Sequence, residues 1–162
     1  MKKLYLLLLF TLPLFSDALL ESLNRKISGK SFVSLGFVQQ ISNNYRNSQA
    51  LNLNYSFIHK NKFGIELNYT QSVDEAKHKK IDKTTDFSSV SILPSYLIVL
   101  DDNVAIKLKA GYANNKHTSD SVSYGAELIF QLTQTMGLSM SYQQMNQNMK
   151  YLMINSVYRL KH

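Results

Sequence analysis

Five ionisable side chains fall inside segments of the chain in which apolar and polar residues alternate: Glu66, Lys107, Lys109, Glu127 and Arg159. Two acids and three bases on one enclosed face could form a packed network of ion pairs. They could also line a path for protons or small ions. The first arrangement is expected where space is short, because buried charges are tolerated only when they are paired.

The other chemistry-bearing residues do not form a catalytic or metal-binding pattern. The four histidines, His59, His78, His117 and His162, all lie outside the alternating segments, whereas nucleophilic catalysis needs a histidine within hydrogen-bond reach of the nucleophile. His78 and His117 satisfy no metal-ligand spacing, and the chain has no cysteine. We therefore predict no catalytic residue, no bound metal and no cofactor.

Two polar segments could form a recognition surface. Residues 73–86 carry four acidic and four basic side chains, and the lysines could supply point charges to lipopolysaccharide phosphates or to a host or phage ligand. A solvated loop is the alternative, because charge runs are usually solvated. An earlier polar segment adds a tyrosine and an arginine. The candidate contact residues are Tyr45, Arg46, Lys77, Lys79 and Lys80.

The composition limits the class of protein. The chain has 162 residues, a length typical of one domain, and 44% of them are hydrophobic. Its net charge of +7 comes from basic residues scattered along the chain, without the basic stripe of a nucleic-acid-binding protein. No nucleic-acid partner is expected.

Residues 1–18 have the layout of a secretory signal peptide. Two lysines precede an apolar core of twelve residues, and small side chains lie before the expected cleavage site after Ala18. A membrane-spanning helix would need about 20 apolar residues. Residues 19–30 do not alternate, and we expect them to form a periplasmic lead-in or a short amphipathic helix.

Residues 31–160 alternate with the period of β-strands. In the clearest segment, Val104, Ile106 and Leu108 share one face and Lys107 and Lys109 share the other. Several segments reach the length of about 9–11 residues that a tilted strand needs to cross a bilayer. Eight strands are predicted, at 33–38, 51–57, 63–70, 88–100, 104–112, 122–132, 136–143 and 152–160.

Short and long links alternate between these segments. The short links are 59–62, 101–103 and 133–135, and the long links are 42–49, 72–86, 113–121 and 144–150. Outer-membrane barrels have short periplasmic turns and longer outer loops in this order. We therefore predict an all-β fold, an eight-stranded antiparallel up-and-down transmembrane β-barrel over residues 31–160.

The distribution of side chains between the two strand faces supports a barrel. All strand charges lie on the polar face, and so do the strand glycines Gly36, Gly64, Gly111, Gly125 and Gly137. That face would form the lumen, which eight strands leave just wide enough for side chains to fill, so a packed ionic network is favoured over an ion path. Tyrosines and phenylalanines fall toward strand ends, as in interfacial girdles. Pro94 cannot donate to the strand ladder, and we expect a β-bulge there.

The signal sequence, the alternating segments and a last strand ending Ser156-Val157-Tyr158-Arg159-Leu160 resemble the OmpA/OmpX-type eight-stranded outer-membrane barrels. The resemblance covers the barrel domain alone, residues 31–160, without a peptidoglycan-binding domain. It implies a monomer in the bacterial outer membrane. It also implies insertion by the barrel-assembly machinery and contact with outer-membrane lipids and lipopolysaccharide.

The leading functional hypothesis is a non-enzymatic protein that contributes to envelope integrity or to surface recognition and adhesion through its outer loops. Some barrels of this size resemble lipid A deacylases or acyltransferases, and a lipid-modifying enzyme is therefore one alternative. A narrow ion channel through the charged lumen is another. A soluble lipocalin-type barrel is disfavoured by the strand lengths and by the alternating links.

Overall fold

The computed structural model describes residues 29–116 and 121–160. The β-strands in these residues are β1 Lys30–Ser42, β2 Ser48–Ile58, β3 Phe63–Ser72, β4 Ala76–Lys77, β5 Thr84–Thr85, β6 Ser89–Asp101, β7 Val104–Asn115, β8 Ser121–Gln131, β9 Met136–Asn146 and β10 Met149–Arg159. In the same residues no helix is long and apolar enough to span a membrane. The predicted signal peptide, most of the lead-in, His117 and His162 lie outside them.

Eight of these strands form a closed barrel in the order β1-β10-β9-β8-β7-β6-β3-β2, and β4 and β5 pair as a separate hairpin. Each barrel strand pairs antiparallel with the next barrel strand along the chain. The barrel closes where β1 pairs with β10, from Phe32 opposite Arg159 to Ser42 opposite Met149. The predicted eight-stranded up-and-down barrel is confirmed.

The outer surface of the barrel is an apolar band. Along β2, Leu51, Leu53, Tyr55 and Phe57 are each at least 36% exposed, and the residues between them are buried. Comparable exposed apolar side chains lie on the other barrel strands. A water-soluble monomer rarely exposes so large an apolar surface. In a bilayer this band faces the lipid chains.

Three layers of side chains fill the lumen. An apolar layer near the periplasmic end contains Ile58, Leu97, Val99 and Ala105. Charged side chains form the middle layer. The outer layer is apolar again and consists of Val38, Ala50, Ala76, Phe87, Ala113, Met145, Met149, Tyr151 and Met153. The lumen is therefore packed by the protein's own side chains, as expected for eight strands.

The prediction of a β-bulge at Pro94 is wrong. The pairing of β6 with β7 skips residues 93–94 and resumes at Ser95 in the same register, and the register shifts instead between Val99 and Asp101. Pro94 is exposed on the lipid-facing side of β6. The proline therefore removes a donor from the ladder without inserting a residue.

The long outer link predicted at 144–150 is also wrong. β9 continues to Asn146 and β10 begins at Met149, so residues 147–148 alone join the two strands. Met145 and Met149 are lumen-facing strand residues, 2% and 1% exposed. Burial of these two side chains in the outer apolar layer favours continuing both strands, and the alternation of short and long links does not hold at this hairpin.

Lumen-facing glycines let neighbouring strands approach closely. A Cβ atom placed on Gly36, Gly111 or Gly125 would lie 2.2 Å from a carbonyl oxygen of the adjacent strand. That separation is far below van der Waals contact, and a backbone carbonyl cannot rotate away as a flexible side chain can. These positions therefore require glycine.

Gly125→Ala should lower the free energy of unfolding by about 2 kcal/mol, because the added methyl group must displace the backbone of β9. Urea unfolding in lipid vesicles, followed by the difference in gel mobility between folded and boiled protein, would measure the change. The control Ala110→Val enlarges a lipid-facing position on the adjacent strand and should stay within about 0.5 kcal/mol of the original protein. Equal midpoints for Gly125→Ala and the original protein would contradict the close approach.

Candidate functional site

Four of the five predicted lumen charges meet in the middle of the barrel, and we call Glu66, Lys107, Lys109 and Glu127 the charge cluster. Lys107 and Lys109 are two residues apart on β7, so both point into the lumen. Glu127 lies opposite Lys107 in the register of β7 and β8. Glu66 comes from β3, which β6 separates from β7, and it reaches the lysines because the lumen is narrow.

The contacts within the charge cluster join every acid to both bases. Nζ of Lys107 lies 2.7 Å from Oε2 of Glu127 and also contacts Glu66. Nζ of Lys109 donates to Oε1 of Glu66 at 2.7 Å and lies 3.6 Å from Oε2 of Glu127. The four side chains are at most 4% exposed. Two positive and two negative groups therefore neutralise one another away from water, as a packed ionic core requires.

Arg159 lies on the periplasmic side of the charge cluster. It is half-buried at the end of β10 and lines a cavity of about 70 Å³ together with Lys107 and Glu127. Phe32 and Leu97 contribute apolar walls to the same cavity. The structure thus places the arginine in the cavity below the charge cluster.

Phe87 closes the outer end of the lumen. Its carbonyl oxygen accepts hydrogen bonds from the Tyr151 hydroxyl at 2.6 Å, from Nε2 of Gln40 at 3.0 Å and from Nδ2 of Asn115 at 3.3 Å. Its side chain is 2% exposed, within the outer apolar layer. The loop that leads into β6 is therefore fastened across the barrel mouth.

The sequence reasoning missed the roles of Phe87 and Tyr151. Tyr151 continues the lumen-facing alternation of Met153 and Asn155 by one more step. A predicted last strand that began before residue 152 would therefore have shown that the Tyr151 side chain points into the lumen. Phe87 belongs to no regular segment. Its insertion into the lumen depends on partners that are distant in sequence.

The first two outer loops form one unit. Tyr45 bridges to His78 in antiparallel geometry. The Arg46 N–H donates to the Lys77 carbonyl at 2.8 Å, and the Lys79 N–H donates to the carbonyl of residue 44 at 3.0 Å. Residues 44–46 are thus joined by one isolated β-bridge to the segment that continues from β4, and we call residues 44–46 together with the hairpin of β4 and β5 the outer cap.

The alternation of side chains divides the outer cap into two faces. Tyr45 and His78 contact each other edge to face with ring centroids 4.8 Å apart, and Tyr45 also packs on Phe87 at 5.1 Å. These rings face the barrel mouth. Arg46 and Lys77, which precede or follow these rings along the chain, point to the opposite face and are exposed.

The predicted loop residues thus belong to one unit but have different roles in it. Nζ of Lys79 donates to the carbonyls of Ser42 and Asn43 at 3.1 and 2.9 Å, which fastens the outer cap to the end of β1. Lys80 lies exposed at the turn that follows, and its N–H donates to Nδ1 of His78 at 3.1 Å. Arg46, Lys77 and Lys80 therefore provide the accessible charge, whereas Lys79 and Tyr45 position the cap.

The described histidines have roles in turns. Nδ1 of His59 lies 3.0 Å from Oδ1 of Asn61, and Nδ1 of His78 accepts from the N–H groups of Lys80 and Ile81. No group of three or more potential histidine or acidic metal ligands occurs within residues 29–116 and 121–160.

Asp86 anchors the second outer loop just before β6. Partial burial would by itself raise the pKa of its carboxyl, but hydrogen bonds from the Ser88 hydroxyl and N–H, from Lys116 and from Ser72 lower the pKa to about 2. Oδ1 accepts from the Ser88 hydroxyl at 2.6 Å and from its N–H at 2.8 Å, and Oδ2 lies 3.2 Å from Nζ of Lys116. The ionised carboxylate therefore holds the base of the loop.

Glu66→Gln should lower the free energy of unfolding by about 3 kcal/mol, because it leaves two buried lysines with one carboxylate. Urea unfolding in lipid vesicles would measure the loss. Adding Lys109→Met to this variant removes the surplus charge and should restore part of the stability. If Glu66→Gln unfolds at the same urea concentration as the original protein, Glu66 is not needed to balance the lysines.

Acid should loosen the base of the second outer loop. Because the pKa of Asp86 is lower in the folded state than its ordinary value of 3.8, its stabilisation is present above about pH 4 and is lost as the pH falls toward 2. Hydrogen exchange at Ser88, normalised for the intrinsic pH dependence, would show protection falling over that range.

Asp86→Asn should reproduce the acid behaviour at neutral pH. Asp82→Asn changes an exposed carboxylate of the same loop and should leave exchange at Ser88 unchanged. Protection at Ser88 that is the same at pH 5 and pH 2 would contradict the role of Asp86.

Comparison with known proteins gives structural matches alone. No family model matches the chain, and no curated protein sequence matches it. The structure is similar to that of Ail, the attachment invasion locus protein of Yersinia pestis, with a TM-score of 0.59 and 18% identity over 82% of this chain and 99% of that one. A structure of Ail in complex with the heparin analogue sucrose octasulfate gives 0.57 and 22% identity over 82% and 99%.

Two further matches have the same architecture. The outer membrane protein OprG from Pseudomonas aeruginosa has a TM-score of 0.60 and 12% identity over 83% of this chain and 97% of that one. A barrel from the de novo design of transmembrane β-barrels has a TM-score of 0.58 and 14% identity over 82% and 97%. At these identities the likeness establishes the fold. The chain is therefore an eight-stranded transmembrane β-barrel of the bacterial outer-membrane type.

Proposed function

We propose that this chain is a non-enzymatic outer-membrane protein of surface recognition and adhesion, which binds sulfated polysaccharide through its outer cap. The observation that carries the proposal is the joining of two outer loops into the outer cap. Separate loops would hold their charges independently, whereas the cap presents Arg46, Lys77 and Lys80 together at one end of the barrel.

The charges at this end suit a polyanion. Among the described residues beyond or at the outer strand ends, seven are basic: Arg46, Lys77, Lys79, Lys80, Lys83, Lys116 and Lys150. Four are acidic: Asp74, Glu75, Asp82 and Asp86. Arginine can hold a sulfate with two parallel hydrogen bonds, and lysine acts as a point charge. The excess of positive charge would also attract an anionic chain from solution.

The similarity to Ail supports the same ligand class. That protein has been solved with a heparin analogue, a small molecule that carries several sulfates. The likeness between the two chains extends over the whole barrel, and the outer loops of this chain provide the basic side chains that such a ligand needs.

The alternatives have less support. The charge cluster and the apolar layers on either side of it fill the lumen, which disfavours conduction through a narrow channel. The described histidines bond to turn residues, which disfavours a histidine-dependent lipid-modifying enzyme. Envelope integrity alone would not require the basic face of the outer cap.

Sucrose octasulfate should bind the refolded protein in nanodiscs of uncharged lipid, and binding should weaken as salt is raised. Replacing Arg46, Lys77 and Lys80 together by glutamine should raise the dissociation constant about tenfold or more. Each surface cation contributes on the order of 1 kcal/mol to binding an anionic surface. Isothermal titration calorimetry at two salt concentrations would measure both effects.

Lys60→Gln is the matched control, because Lys60 is an exposed lysine in the turn at the opposite end of the barrel. Its dissociation constant should equal that of the original protein. Failure of the original protein to bind sucrose octasulfate, or equal weakening by Lys60→Gln, would reject the outer cap as a polyanion site.

A further inference from the structure

A groove of about 780 Å³ crosses the lipid-facing wall of the barrel. Its upper edge follows one row of the strand register, in which Gln49, Gln39, Leu152, Tyr142 and Ala126 lie side by side on β2, β1, β10, β9 and β8. The next row toward the periplasm completes the groove and ends at Ile106 on β7. The groove therefore spans six neighbouring strands.

The groove descends obliquely into the membrane. Gln49 lies one residue from the outer end of β2, whereas Ile106 lies two residues from the periplasmic end of β7. Rows of paired residues rise around a barrel because its strands are tilted. The groove is thus polar at the outer rim, where the two glutamines face outward. Its other outward-facing side chains are apolar or aromatic, whereas Glu127 and Ser141, which lie between the two rows, point into the lumen.

A small side chain gives the groove its depth. Ala126 lies opposite Tyr142 on one side and opposite Leu108 on the other, so a methyl group separates two large residues in the same row. Most outward positions of the barrel carry larger apolar side chains. The space above Ala126 is open to the lipid of the surrounding bilayer.

A cation lies next to the polar end of the groove. Lys150 is two residues before Leu152 on the same face of β10, a separation of about 7 Å along a strand. In the register it lies beside Ile41 on β1 and Gln144 on β9, and its side chain is half-buried. A lysine at the level of the headgroups attracts lipid phosphates.

We propose that this groove is a binding site for a single anionic phospholipid, whose headgroup carries a phosphate and a net negative charge. One acyl chain lies over Ala126 between Tyr142 and the apolar row below it. Lys150 and the amide groups of Gln39 and Gln49 contact the phosphate. The site is on the barrel wall and does not depend on ligand binding by the outer cap.

Native mass spectrometry of protein released from nanodiscs tests the proposal, with phosphatidylglycerol and phosphatidylcholine in equal amounts as probes. The original protein should retain one lipid and favour phosphatidylglycerol by about fivefold, because Lys150 attracts its net negative charge, whereas the choline group of phosphatidylcholine neutralises the charge of the phosphate. Lys150→Gln should retain a lipid without this preference. Ala126→Phe places a ring where the acyl chain would lie and should lower lipid retention.

Matched controls separate the groove from general lipid contact. Ala110→Phe makes the same change at another lipid-facing alanine, outside the groove, and Lys60→Gln removes a charge at the opposite end. Both should behave as the original protein does, and gel mobility before boiling confirms that each variant is folded. Retention by Ala126→Phe equal to that of the original protein, or the absence of a phosphatidylglycerol preference in the original protein, would overturn the site.

Discussion

Neutralisation of charge inside a narrow lumen is the constraint on which the structure of this barrel depends. Four ionisable groups lie where water is scarce, and they are tolerated because two lysines meet two glutamates within 4 Å. The cluster ties β3, β7 and β8 together across the lumen. The lysines and glutamates also occupy the middle section of the lumen, where their side chains are at most 4% exposed.

The outer end of the lumen is closed by apolar packing and hydrogen bonds and not by ion pairs. The loop before β6 inserts Phe87 into the lumen, and its carbonyl is satisfied by three polar side chains from β1, β7 and β10. With this anchor in place, Tyr45 packs on Phe87 and the two outer loops join as the outer cap. The exposed basic side chains are therefore positioned indirectly by the packing of apolar side chains beneath them.

The lipid-facing wall of the barrel is a second surface with distinct features. Its apolar band allows the chain to reside in a bilayer, but the band is uneven, since Ala126 lies in a row of larger side chains and Lys150 lies at the outer rim above it. Tilt of the strands converts a row of paired residues into an oblique groove. The proposed sites for a polyanion at the outer cap and for a lipid at the wall thus lie on separate surfaces of one small barrel.

Alternation of apolar and polar residues by itself determined the eight strands, the lumen direction of Glu66 and Lys107 and the apolar outer surface, because strand period and burial are local properties. It did not determine that Pro94 leaves the register unchanged, or that β9 and β10 continue to a two-residue turn. Those outcomes depend on pairing with other strands and on burial of Met145 and Met149. The contact of Glu66 with both lysines, the outer cap and the groove were decided by barrel closure, which brings together residues that are far apart in sequence.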